Sequence, residues 1–114
     1  MTMDTLTHYV FFYFGRLRTS QEAAAYSSII AEEKAQHSQS AAMQRLLRQK
    51  WISTDPEVLM LLEVGYEQFF INVRDRILRE HSEEVYLNYC PQCGALARTP
   101  QAKQCPTCFF SWHE

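Results

Sequence analysis

Four cysteines stand in two matched pairs, Cys90-Pro91-Gln92-Cys93 and Cys105-Pro106-Thr107-Cys108, separated by eleven residues. A Cys-x-x-Cys turn places two sulfurs on one side of an ion, and its bend directs backbone amides towards them. Zinc prefers a tetrahedral shell, and four thiolates close it. The pattern predicts one structural Zn2+ held by Cys90, Cys93, Cys105 and Cys108. No position remains for water or substrate, and metal binding is coupled to folding of the segment. Disulfides, an iron centre and a redox Cys-x-x-Cys are the competing readings. One shared ion accounts better for two matched pairs. Gly94 directly after the first pair suits a position that often needs positive φ. Phe109 after the second pair departs from that rule.

Other residues near the cysteines carry weaker signals. Arg98 and Lys103 can offset the negative charge of four thiolates or touch phosphate, and two charges without a wider basic patch favour the first use. Tyr86, Phe109, Phe110 and Trp112 add more apolar area than a small metal-bound unit can hide, which marks them as partner contacts. Base stacking is the alternative use for such rings. His113 has no vacancy to fill once four cysteines bind. Arg74 and His81 form an Arg-x6-His pattern that resembles the catalytic motif of HEPN-type ribonucleases. Such chemistry needs an imidazole as acid or base and a guanidinium to hold phosphate. The simpler reading of this pair is a solvated helix end. His8 and His37 have no companions and read as surface residues.

The elements that position these groups are mostly helices. Leu6, Tyr9, Val10, Tyr13, Phe14 and Leu17 recur at steps of three and four. Phe11 and Phe12 widen that face, so the helix is either core or a dimerisation surface, with a strand as the competing assignment. Thr19-Ser20-Gln21-Glu22 reads as a capping box opening a second helix from Glu22 to His37. His37-Ser38-Gln39-Ser40 ends it. A third helix runs from about Ala41 to Ile52. Asp55 as N-cap and Pro56 in the first turn start a fourth. Its spacing holds to about His81, making it the longest helix despite Gly65 inside it. Val85 to Tyr89 favours a strand leading into the first cysteine pair.

Composition narrows the function classes. Of 114 residues, 46% are hydrophobic, enough for a core. Residues 1–89 hold nine Lys/Arg against twelve Asp/Glu, and the remainder only Arg98 and Lys103 against Glu114. That lacks the concentrated basic charge of most phosphate binders. The longest dense apolar run, Tyr9 to Phe14, is far short of the roughly 20 residues a membrane span needs. No signal peptide is evident, so the expected address is cytoplasmic, where thiols stay reduced and cysteines read first as metal ligands.

Taken together, Val85-Tyr86-Leu87-Asn88, the first knuckle, Ala95-Leu96-Ala97-Arg98-Thr99-Pro100, Ala102-Lys103-Gln104-Cys105 and Trp112-His113 resemble the C-terminal signature of small bacterial zinc-ribbon proteins without an assigned activity. Asp55-Pro56-Glu57-Val58 and Gly65-Tyr66 are similar too. Such sequences more often have Gly-His-Asp where this one has Phe109-Phe110-Ser111. The resemblance implies a helical domain followed by a ribbon and brings no activity with it. The expected fold is mainly α: a three- or four-helix domain over residues 1–84 and a small β zinc ribbon over 85–114. Leu87, Leu96 and Trp112 are the expected ribbon core. The expected function is a non-catalytic protein–protein interaction module, in one version an immunity or regulatory protein capping a partner. A homodimer is a further possibility. Nucleic-acid binding through the ribbon is the alternative, and a ribonuclease the third.

Overall fold

A computed structural model of the chain describes residues 3–112. Five α-helices follow one another among them: α1 (Thr5–Tyr13), α2 (Ser20–His37), α3 (Ala41–Trp51), α4 (Pro56–Leu62) and α5 (Tyr66–Glu80), with a short 3-10 turn at Gly15–Leu17. The chain is mainly helical, as expected. None of the described helices is long and apolar enough to cross a membrane.

The backbone divides into two compact units, Arg18–Phe69 and the union of Met1–Leu17 with Phe70–Glu114. The first of these contains α2, α3 and α4. Thr19 opens α2 with the capping box its sequence predicts: its hydroxyl accepts from the Glu22 amide at 3.1 Å, and Glu22 accepts from the Thr19 amide at 2.8 Å. Ser40 caps α3 and Asp55 caps α4, with Pro56 in its first turn. Ala25, Ile29, Ala31 and Ala35 of α2 are buried, with Val58 of α4 and Phe69. Small residues let α3 and α4 approach α2 closely. The buried Ser28 hydroxyl donates to Ala24 O and accepts the Ser53 amide at 2.9 Å, fixing the chain where α3 ends. By contrast, no residue of α3 is fully buried, and Gln44 and Leu47 are half-buried.

Gly65 corrects the expected single helix from Pro56 to His81. The turn of α4 ends at Leu62, and Gly65 adopts φ +91° before α5 begins. A left-handed residue cannot continue an α-helix, and glycine is the residue that enters that region freely. The mid-helix spacing of apolar residues continues across the break, which is why periodicity alone joins the two segments.

In the other unit, α1 and α5 supply the apolar interior. Tyr9, Val10, Phe11 and Phe14 are buried, with Phe70, Val73 and Ile77 of α5. The Phe11 and Phe70 rings meet edge to face at 4.8 Å, a favourable geometry for aromatic pairs. So the aromatic stripe of α1 is mostly core, and only Phe12 and Tyr13 remain exposed. Arg76 donates to Leu17 O at 2.7 Å and pairs with Glu80 at 2.8 Å.

Asp4 caps α1. Its carboxylate accepts from the Thr7 amide at 2.8 Å and the Thr7 hydroxyl at 2.7 Å, and Arg74 lies 3.6 Å away. The Thr7 amide and hydroxyl, aided by Arg74, hold the Asp4 carboxyl below its ordinary value. A lowered folded value means that the carboxylate stabilises the fold above its unfolded value and loses that effect as pH falls through the folded one. Asp4→Ala is therefore expected to destabilise the protein by about 1 kcal/mol at neutral pH. Denaturant melts of both proteins should converge as pH drops below roughly 4. A deficit independent of pH would remove the charge from the explanation.

Candidate metal centre

Two short turns of the same plan carry the cysteines. In the first, the Cys90 amide donates to Ala95 O, the Gly94 amide to Cys90 O and the Ala97 amide to Asn88 O, at 2.8, 2.9 and 2.7 Å. Each bond recurs fifteen residues later: Cys105 to Phe110 O, Phe109 to Cys105 O and Trp112 to Lys103 O, at 2.9, 3.0 and 2.8 Å. Antiparallel bridges Tyr89–Leu96 and Gln104–Ser111 sit at matching places. The expected strand over Val85 to Tyr89 is reduced to the bridge at Tyr89, and among the described residues no extended sheet forms. Upstream of the bridge the Val85 amide bonds to His81 O, and the Tyr9 hydroxyl takes Tyr86 O and the Asn88 amide, so these groups do not extend the ladder.

Within each turn the amides converge on the first sulfur. Gln92 and Cys93 amides donate to Cys90 Sγ at 3.4 Å, and Thr107 and Cys108 amides to Cys105 Sγ at 3.3 and 3.4 Å. Donation from the Cys108 amide, then Thr107, lowers the Cys105 thiol to about 6. At Cys93 the Ala95 amide pulls the thiol down, but interaction with Cys105, burial and the remaining sulfurs prevail and push it up to about 12. Four uncompensated thiolates at one point are electrostatically unfavourable, and a cation is what reconciles them.

The sulfurs are close enough to share one ion. All four Sγ atoms lie within 4.8 Å of one another. Cys90 and Cys108 Sγ are 3.7 Å apart, and Cys93 and Cys105 Sγ are 3.5 Å apart. These distances are far longer than the ~2.05 Å of a disulfide. They match the ~3.8 Å edge of a tetrahedron with metal–sulfur bonds of about 2.3 Å. The four cysteines therefore fit a single metal ion, drawn two from each turn.

Comparison with protein-family models, with curated proteins and with solved structures found no match.

Two residues that the sequence does not single out brace the first turn. Asn88 is buried, and its amide group donates to Thr99 O at 3.1 Å and Ala102 O at 2.9 Å. It thereby holds the connector that carries the chain from one cysteine pair to the other. The Tyr9 hydroxyl accepts the Asn88 backbone amide at 3.1 Å and donates to Tyr86 O. Burial raises the Tyr9 phenol above its ordinary value, which keeps the donor proton in place. No local sequence signal pairs residues this far apart.

The expected ribbon core is corrected in detail. Leu87, Leu96 and Trp112 are only half-buried, whereas Cys90, Ala97 and Cys105 are buried with Asn88. A segment this short has no interior beyond its metal-binding sulfurs and one small residue. Tyr86, Phe109 and Phe110 are exposed, as their excess apolar area suggests. Phe110 stacks on Trp112 at 6.4 Å. Arg98 and Lys103 are exposed and make no ion pair among the described residues. Arg98 and Phe109 line a shallow recess of about 220 Å³ beside Cys105.

The Arg-x6-His pair is placed differently. Arg74 is engaged by Asp75 at 2.9 Å, by the Thr7 hydroxyl at 3.0 Å and by Asp4. His81, just past α5, pairs with Glu84. The Arg74 guanidinium thus ties α5 to the cap of α1. His8 lies against Phe12 at 4.8 Å, and His37 ends α2, exposed. His113 falls outside the described residues.

Gly94 and Phe109 occupy equivalent places, with φ +79° and +65°. Glycine does so freely, while an L side chain there costs about 1–2 kcal/mol. Phe109 is also 71% exposed, so burial of its ring offsets little of that strain. Phe109→Gly should stabilise the metal-loaded protein by up to about 1 kcal/mol, after the ~0.5–1 kcal/mol entropic penalty of glycine. Thermal unfolding at fixed metal loading measures this. A lower melting temperature would show that the ring contributes packing greater than its strain.

Proposed function

We propose that the four cysteines hold one structural zinc ion, and that the resulting zinc ribbon is the docking surface of a non-catalytic interaction protein. The conformation of Phe109 carries the reading. It is the one described non-glycine residue with positive φ, and it stands exposed where the equivalent turn has Gly94. Strained residues persist where the surroundings hold them and cluster at sites of function. A strained and exposed aromatic ring is more readily explained by contact with a partner than by stability. Tyr86 and the Phe110–Trp112 stack add contact area of the type that dominates protein interfaces.

In this reading zinc acts as a brace. Four sulfur ligands leave it no open position for chemistry, and its binding energy orders a segment too small to fold on burial alone. Arg98 and Lys103 lie on the connector between the cysteine pairs and lessen the charge of the thiolate cluster. A regulatory or immunity protein that caps its partner is one concrete form, acting in the cytoplasm.

Nucleic-acid binding is the second reading, favoured by the unpaired Arg98 and Lys103 near exposed rings. Both readings meet in one experiment. Tagged wild-type protein and a Phe109→Ala/Phe110→Ala variant are recovered from the native host with and without nuclease. The docking reading expects a stoichiometric protein that survives nuclease and is depleted on the order of tenfold or more with the variant. Metal content and circular dichroism should be unchanged. Co-purification abolished by nuclease, with binding that falls steeply with salt, would replace docking by nucleic-acid recognition.

A further inference from the structure

The unit formed by α2, α3 and α4 carries a second surface, distinct from the cysteine-bearing segment. No residue of α3 is fully buried: it lies against α2 through half-buried Leu47 and the Arg48–Glu32 pair, and leaves much of its apolar side uncovered. Its apolar residues keep helical spacing: Met43, Leu46, Leu47 and Trp51 share one side, and Met43, Leu46 and Trp51 are 47%, 53% and 54% exposed. Between α2 and α3 lies a groove of about 400 Å³. Tyr26, Ile30 and Lys34 line it from α2 at steps of four, and Leu47 and Trp51 from α3.

Cations outnumber acids around this groove, where α2 contributes Glu32 and Glu33. The Arg18 guanidinium lies over the Tyr26 ring at 5.4 Å, and the Lys50 ammonium over the Trp51 ring at 5.5 Å. Lys34 lines the groove itself and Arg45 stands exposed on α3. No acidic residue occurs in α3. Arg48 is already matched by Glu32 at 3.0 Å; among the described residues Lys34, Arg45 and Lys50 have no ion pair, and Glu33 is the one further acid beside them on α2. Each aromatic wall of the groove therefore carries a cation on its face.

We propose that this groove receives an acidic amphipathic helix of a protein partner, with apolar side chains entering between Tyr26, Ile30, Leu47 and Trp51 and carboxylates meeting Lys34 and Lys50. The spacing of the lining residues along α2 suits anchors at i, i+3 or i+4 and i+7. A second copy of this chain is disfavoured, because symmetric pairing would bring the same cations together. An anionic bilayer presents a flat face that does not fill a concave groove. Apolar walls do not suit phosphate. The inference concerns a different surface from the ribbon and does not depend on it.

The test uses the full-length, metal-loaded protein and a display library of random helix-length peptides. Selected peptides are expected to carry apolar residues at three- and four-residue spacing flanked by Asp or Glu. For the best peptide, Lys34→Glu/Lys50→Glu should weaken binding on the order of tenfold or more, and a copy with its acids changed to Lys should recover binding to that variant. Phe109→Ala/Phe110→Ala should leave the affinity unchanged, which separates failure here from failure of the ribbon reading. Circular dichroism verifies that the variants fold. Selection of basic or neutral peptides, or affinity indifferent to charge reversal, overturns the proposal. So does concentration-dependent dimerisation abolished by Leu46→Asp, or adsorption to vesicles of phosphatidylserine and phosphatidylcholine in preference to every peptide.

Discussion

The cysteine-bearing segment depends on the convergence of four sulfurs. It has no extended sheet, and its buried side chains are two cysteines, Ala97 and Asn88. So small an interior cannot offset the entropy of ordering the chain. What fixes it is geometry at the sulfurs: two turns built on the same hydrogen bonds, amides aimed at Cys90 and Cys105, and Sγ separations that fit one tetrahedral ion. The connector follows from the same constraint. It must return the chain to the point where the four sulfurs meet, and Asn88 secures it by bonds to Thr99 O and Ala102 O.

From that point the structure builds outward through one phenol. Tyr9 lies in the buried face of α1, and its hydroxyl bonds on both sides of Leu87. The aromatic packing of α1 against α5 thus positions the chain entering the first turn. Arg74 of α5 fixes the first turn of α1 by meeting Asp4 and Thr7. The aromatic residues Tyr86, Phe109 and Phe110 stay on the surface. Phe109 is the clearest case, held in a backbone conformation that Gly94 adopts at no comparable penalty.

Local signals in the sequence were legible wherever one residue type performs one task. The capping box at Thr19, the N-cap and proline at Asp55-Pro56, and the break at Ser38 to Ser40 all form as their chemistry requires. The cysteine spacing likewise brings four ligands to one point. The departure of Phe109 from the Gly94 pattern is visible in the sequence, and the structure gives it a backbone cost. Periodicity misled across Gly65, because the apolar face repeats on both sides of the turn and hides the break. The β-favouring residues Val85 to Tyr89 suggested a strand before Cys90, where His81 O and the Tyr9 hydroxyl take the backbone groups instead. Leu87, Leu96 and Trp112 looked like core, but a segment this short has little inside to share. The Tyr9–Asn88 link had no sequence signal, since long-range partners are set by packing rather than by local pattern.

Sulfur-only coordination is the claim on which the rest of the account stands. X-ray absorption at the zinc edge, on protein purified without added metal and with its metal content counted, measures it most directly. The account predicts one zinc per chain surrounded by four sulfur scatterers at about 2.3 Å. A first shell containing nitrogen or oxygen, or a folded metal-free protein with its cysteines joined as disulfides, would contradict it.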